Sequence, residues 1–364
     1  MISLVYIAAF VLVLSIVVII HEGGHFIVAR LCGVQATHFS LGFGKVLWSR
    51  VDKYGTKWQV CAIPLGGYVR MLGDEDAAGA KSSSESIPES ERHKTFMAKK
   101  LWQRAAIVFA GPAMNYLFAF VALVGMLYFL GEIIVKPIVS EVMPDSAAAE
   151  AGLQVNDEIV AINNHTMQDF SDIQRVVRLT DYGKPLQVEI MRDQQKLVIS
   201  LLPKMDEQIG MPVIGIRSSH ETVVMHQDLS FGQAVLKSAE MLYTTTRDTL
   251  IYLGQVISAR RAPKDMRGPL GIAEASGDAL MGGWLSLLSF LVQISIAVGF
   301  MNLLPIPMLD GGHLCLYAIE AVRRKPLTEK TQAAIMWTGF SVLMLIFAYT
   351  MILDVPRIIQ RITG

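Results

Sequence analysis

Charge is scarce in this chain. Of its 364 residues only 18% are Asp, Glu, Lys or Arg, whereas 52% are hydrophobic, a balance that favours a bilayer over water as the solvent. No sign of charge prevails either: 32 Lys plus Arg meet 32 Asp plus Glu, which offers no basic surface for nucleic acid and no acidic tail. Cysteine is limited to Cys32, Cys61 and Cys315, far apart and without zinc-finger spacing, so neither a disulfide framework nor a cysteine metal site is expected. They read as small apolar residues. Phosphate-binding glycine loops, haem motifs and nucleic-acid motifs are missing as well.

Long uncharged runs are present instead. Met1 to Ile20, Ala105 to Leu130, Trp284 to Leu309 and Ala333 to Leu353 contain no charged residue, and about 20 such residues suffice for a helix to cross about 30 Å of hydrocarbon. The first run has no basic residue ahead of it and no clear small-x-small cleavage site, so it is expected to be retained as a span. Arg92, Lys94, Lys99, Lys100 and Arg104 precede the second span, and Arg323, Arg324, Lys325 and Lys330 fill the loop between the third and fourth. Positive loops stay in the cytoplasm, so both termini and the long segment between spans two and three fall on the outer side. The three cysteines then lie at or near the reducing side.

Chemistry is concentrated where the first span ends, in His21-Glu22-Gly23-Gly24-His25. On a helix, positions four apart share a face, so both imidazoles can bind one metal while the adjacent carboxylate reaches a water. Zinc would lower that water's pKa to around 7 and polarise a scissile carbonyl, with Glu22 as the general base. Ionisable residues that continue a span cost about 2.5 to 3.5 kcal/mol each at central positions, so they tend to be functional.

Two imidazoles leave a hydrolytic zinc one protein ligand short. Asp310 is the candidate, in Asn302-Leu303-Leu304-Pro305-Ile306-Pro307-Met308-Leu309-Asp310-Gly311-Gly312-His313. Spans one and three run in the same direction, so their C-terminal ends meet on one face of the membrane. The bland reading of Asp310 is a cap or turn before Gly311; His313 is an alternative ligand, or a residue behind the ligands or in a turn. Pro305 and Pro307 should open the helix there. Asn302 is a candidate partner for an unwound substrate, or forms an interhelical hydrogen bond.

With these residues, His38 to Trp48, Ile63 to Leu72, Gly111-Pro112-Ala113-Met114-Asn115 and Arg267 to Ile272 complete a set of strings in which the chain resembles the site-2 protease family of intramembrane zinc metalloproteases, and within it the RseP-like bacterial branch. The resemblance covers nearly the whole chain. It implies one catalytic zinc ion held by His21, His25 and Asp310, Glu22 as catalytic base, and substrate contacts at Asn302 and at Gly42, Gly44, Gly66 and Gly67. It also implies that 37–72 forms a β-rich element dipping into the membrane. The alternation in Lys57 to Ile63 fits a strand whose edge could receive an unwound substrate; a plain cytoplasmic hairpin is the alternative. Two departures stand out. Gly23 and Gly24 occupy the metal-binding turn, costing up to about 1 kcal/mol each relative to Ala. RseP itself carries two tandem PDZ domains, whereas this sequence offers one.

That module is expected at 137–217, on Ser146 to Asn164 as a helix-turn-strand signature and on a closing hairpin of Val188 to Arg192 and Lys196 to Leu201 around Asp193-Gln194-Gln195. It would hold a peptide or act as a size filter. The expected fold is a polytopic α-helical membrane protein with four transmembrane helices, a membrane-associated β-rich element and one periplasmic α+β PDZ domain. Its segments are the zinc-motif span 1–36, the β-rich element 37–72, a cytoplasmic loop 73–104, the second span 105–131, the PDZ module, an amphipathic region 218–283, the third span 284–313 and the fourth 333–353. Asp74 to Arg92 reads as a flexible loop. Phe231 to Ile257 carries Val235, Leu242, Leu250, Leu253 and Ile257 at helical spacing, for the outer membrane surface or for packing on the PDZ module.

The resemblance implies, as partners, single-span membrane proteins, anti-sigma-factor-like regulators or signal-peptide remnants already trimmed by a site-1 protease, together with membrane lipid. The expected location is a bacterial inner membrane, with the active site near the cytoplasmic side. A PDZ-bearing adaptor with an inactive metal site, or a metal transporter, are the rival readings.

Overall fold

The computed structural model describes residues 4–73, 87–181, 183–206, 211–218, 224–258, 260, 268–325 and 327–363. Most of the Asp74–Arg92 loop, Arg267 and parts of the 218–283 region lie outside the described residues. Two compact units divide the chain: 1–122 with 267–364, and 123–266.

The first unit is built on helices that are apolar all round. Among the described residues, four helical segments are long and apolar enough to cross a membrane: Leu4–Leu31, Leu101–Leu130, Trp284–Leu303 and Lys330–Pro356. They belong to α1 (Leu4–Leu31), α2 (Leu101–Leu130, whose end lies in the second unit), α7 (Trp284–Leu303) and α9 (Glu329–Thr363). Their outer faces carry Leu12, Phe109, Val121 and Leu345 in the open, as expected where lipid is the solvent. The third helix stops at Leu303, short of the expected 313. Leu304, preceding Pro305, is extended at φ −65°, ψ 146°, and α8 (Asp310–Arg323) starts afresh after Pro307. The two prolines cut one apolar run into two elements.

Between α1 and α2, β1 (Ala36–Val51) and β2 (Lys57–Met71) form an antiparallel hairpin with repeated register shifts. Its turn is tied back to α1. Arg30 donates to Asp52 and to Thr56 Oγ1, and its guanidinium lies over the rings of Phe26 and Tyr54. Burial pushes the Asp52 carboxyl up, but hydrogen bonds from Trp58, the Thr56 amide, Arg30 and the Tyr54 amide outweigh it and hold the group well below the usual carboxylate range.

Small residues and one carboxylate seat α6 (Pro269–Met281), an element the sequence pattern did not announce. A Cβ on Gly277 would lie 2.1 Å from Tyr6 Cδ1, so α6 and α1 meet with nothing between them at that point. Tyr6 donates to Asp278 at 2.8 Å. The buried Asp354 of α9 accepts from the amides of Gly268 (3.1 Å) and Gly271 (2.9 Å), capping an α6 start that has no side-chain cap of its own.

The second unit has a water-type core. β3 (Glu132–Val135) and β12 (Val224–Gln227) pair beyond the expected 137–217 bounds. Inside them lie β4 (Glu141–Val142), α3 (Ala147–Glu150), β5 (Glu158–Ile162), β6 (His165–Thr166), α4 (Phe170–Leu179), β7 (Leu186–Arg192), β8 (Gln195–Leu201), β9 (Lys204–Asp206), β10 (Met211–Val213) and β11 (Ile216–Arg217). β6, β5, β7 and β8 make an antiparallel sheet in that order, and β4 pairs with β11. Alternate residues of β7, Leu186, Val188 and Ile190, point into a core with Ile159, Ile162, Ile173 and Leu201. The hairpin turn is Asp193-Gln194, both at positive φ, so Gln195 belongs to β8 and not to the turn as expected. Asp157, 1% exposed, is matched by two 2.7 Å bonds from Arg192. α5 (Phe231–Ile257) starts from a Ser230–Gln233 capping box and buries Ala234, Ser238 and Gln255. Gln255 donates to Leu179 O at the end of α4, while Leu250 and Ile257 of the expected stripe are exposed.

Candidate active site

One helical turn of α1 presents His21 and His25 on a single face, with their Nε2 atoms 3.2 Å apart. Asp310, the first residue of α8, brings Oδ2 to 3.0 Å from His21 Nε2 and 3.5 Å from His25 Nε2. The break at Pro305 and Pro307 makes this approach possible, because a continuous helix would carry position 310 further along its own axis. His21 lies roughly 25 Å along α1 from Leu4 at 1.5 Å per residue, near the far end of the apolar segment.

The three donor atoms fall within 4.8 Å of one another. Asp310 Oδ2 is buried, and among the described residues no donor, His21 Nε2 at 3.0 Å included, meets it in good hydrogen-bond geometry; a buried carboxylate oxygen placed between imidazole nitrogens in this way fits a cation shared by all three. Nδ1 of His25 lies 2.8 Å from the carbonyl of Ile107, which can only accept, so the ring proton sits there and the Nε2 lone pair faces the other donors. Two imidazoles and a carboxylate are the donor set of a catalytic zinc with room for a further ligand. The residues fit the metal.

Glu22 projects to the side of the pair, and its Oε2 accepts from the backbone amide of Val69 on β2 at 3.0 Å. The hairpin therefore sets the position of this carboxylate. α2 closes the back of the site. A Cβ on Gly111 would lie 2.3 Å from His25 Nε2 and 2.9 Å from His21 Nε2, so only glycine leaves room for both rings. Gly24 answers the question posed by the double glycine: its Cβ would sit 2.2 Å from Ala110 O, which makes it a point of close approach between α1 and α2, whereas a Cβ on Gly23 would meet none of the described residues within 4 Å.

His21, Glu22, His25 and Asp310 are thus brought together. Asn302 turns its amide onto its own helix, donating to Val298 O at 3.0 Å. Gly42, Gly44, Gly66 and Gly67 lie in the shifted part of the hairpin: Gly66 has φ +102°, and a Cβ on Gly67 would meet Ser40 O at 2.6 Å and Val18 Cγ1 at 2.9 Å. The positive φ at Gly66, and the approach of both β1 and α1 at Gly67, thus demand glycine at these two positions. His313 follows in the first turn of α8. Sequence reasoning missed Gly111, Asn115 and the backbone groups of Ile107 and Val69. The Gly111 to Asn115 string signalled the first two; main-chain groups carry no sequence signal.

The model of Peptidase family M50 matches residues 9–346. A protein of Agrobacterium fabrum named "Putative zinc metalloprotease" is 35% identical over 97% of this chain and 96% of its own length. A Rickettsia conorii protein of the same name is 32% identical over 98% and 99%. Among solved structures, the PDZ domain of an SdrC-like protein from Listeria monocytogenes aligns with 22% of this chain and 84% of its own at 20% identity and a TM-score of 0.21. With the family match running from the first helix to the last, the chain belongs to Peptidase family M50, the site-2 protease family, and is a zinc metalloprotease.

Proposed function

We propose that this protease hydrolyses a peptide bond in or near the transmembrane segment of single-span membrane proteins, with His21, His25 and Asp310 as zinc ligands and Glu22 as the catalytic base. The observation that carries the proposal is the meeting of these donors at one end of a helix apolar enough to cross a bilayer. A zinc ion held there supplies Lewis-acid polarisation of the scissile carbonyl and acidification of water. Glu22 takes the proton of the attacking water and returns it to the departing nitrogen. With Oε2 held by the Val69 amide, Oε1 is the atom assigned to the proton. A peptide bond inside a helix is closed to attack, so the substrate must unwind. Freed amides and carbonyls then need partners, for which the edge of the β1–β2 hairpin around Gly42, Gly44, Gly66 and Gly67, and Asn302, are the candidates.

The substrate class is regulators of the anti-sigma-factor type or signal-peptide remnants, trimmed beforehand by a site-1 protease. The α+β unit is read as a single PDZ domain that binds or screens them. Positive charge flanking α2 and α9 supports a bacterial inner-membrane location, with both termini and the PDZ domain periplasmic and the active site near the cytoplasmic face.

The test is cleavage of a single-span model substrate by the purified full-length protein in detergent, wild type against Glu22→Gln, with and without a zinc chelator. Loss in both arms supports the proposal. Equal cleavage by the variant would assign the activity to a contaminant, and no cleavage of any pre-trimmed substrate by the wild type would favour a PDZ-bearing adaptor.

A further inference from the structure

Asn115 is fully buried and held from several sides. Its carbonyl accepts from Ser295 Oγ of α7 at 3.0 Å, and Gly299 of the same helix lies so close that a Cβ there would be 3.2 Å from Asn115 Cβ. Its Nδ2 sits 3.1 Å from His21 Nδ1, and its buried Oδ1 accepts no hydrogen bond from any of the described residues. An NH2 group set against Nδ1 requires a lone pair there and sends the ring proton to Nε2, the atom that faces His25 and Asp310. A proton on that atom blocks metal binding.

A half-turn of the amide exchanges its two ends at almost no change in volume. Oδ1 then accepts from His21 Nδ1–H, and the Nε2 lone pair points at the other donors. His25 already has this arrangement through the Ile107 carbonyl. We propose that Asn115 is a positioning residue for the metal: in the zinc-loaded protein its amide oxygen fixes the tautomer and plane of His21, as a main-chain carbonyl does for His25. The inference rests on the reading of His21 as a ligand. Partners of this kind typically change metal affinity by about 10–100-fold when removed.

The experiment measures zinc affinity of the full-length protein in detergent by competition with a chromophoric chelator, for wild type, Asn115→Leu and Asn115→Asp. Zinc uptake by the wild type checks the ligand reading separately; its failure overturns both. Given uptake, the inference expects Asn115→Leu to bind about 10–100-fold more weakly and Asn115→Asp, which keeps an acceptor at the same place, to match or exceed the wild type. Equal affinity of wild type and Asn115→Leu overturns it. Should Asn115→Leu fail to fold, Asn115→Ala takes its place with the same two outcomes, and a tenfold loss in Asn115→Asp also rejects the role.

Discussion

The two units of this protein both bury apolar clusters but differ in what else they bury and in what they turn outward. In the α+β unit the interior is apolar, built from Ile159, Ile162, Leu186, Val188 and Ile190 at 0% exposure. In the helical unit large apolar side chains such as Leu4, Val121 and Leu345 face outward, while His21, Asn115, Ser276, Ser295 and Asp354 are buried. The difference teaches where each unit finds its stability. Water drives the first together through apolar burial. Lipid gives helices no such push, so van der Waals packing, as of Val13 and Val17 against Leu291, is joined by glycines that permit close approach and by polar groups that bond across helices. A unit of the second kind has a polar interior available for chemistry, and the candidate zinc site lies within it.

Substitutions can break or sharpen this contrast. The largest effect is expected from Glu22→Gln, which should lower the cleavage rate by about 10²–10⁴-fold while leaving zinc content unchanged, as read by turnover and metal analysis. Next comes the apolar interior. Ile190→Ala should destabilise the α+β unit by about 2–5 kcal/mol in denaturant unfolding, whereas Ser295→Ala in the helical unit should cost only about 0.6 kcal/mol. Equal costs would erase the contrast. Gly24→Ala should cost about 1–3 kcal/mol through the clash with Ala110 O and reduce activity. Gly23→Ala, with open space around it, should leave the fold intact and strengthen the helix by up to about 1 kcal/mol.

The smallest effect concerns the hairpin anchor. The Asp52 carboxyl is held below its ordinary value in the folded state, so it stabilises the fold above the ordinary carboxylate range. That contribution falls away as acidification approaches the depressed value. Asp52→Asn should therefore flatten the acid limb of the stability curve by about 1 kcal/mol, and an unchanged limb would dissociate the anchor from acid stability.

Much of the helical unit could be read from the sequence because its rules are local. Uncharged runs mark the spans, spacing of four puts His21 and His25 on one face, and two prolines announce the break before Asp310. Contacts between distant backbones could not be read. Nothing in the identity of Val69 or Ile107 says that their amide and carbonyl would meet Glu22 and His25, since every residue carries those groups. Gly24 looked like a flaw in the helix until Ala110 appeared beside it. Helix α6 stayed hidden because its fit to Tyr6 and Asp354 depends on small residues, which leave no periodic pattern.

The central claim is that His21, His25 and Asp310 hold one zinc ion, and zinc-edge X-ray absorption of the purified protein tests it most directly. The account predicts one zinc per chain in a shell of nitrogen and oxygen only, with an imidazole contribution that weakens in His25→Ala and a zinc content that falls in Asp310→Asn. A sulfur neighbour, or full zinc occupancy with an unchanged shell in both variants, would contradict it.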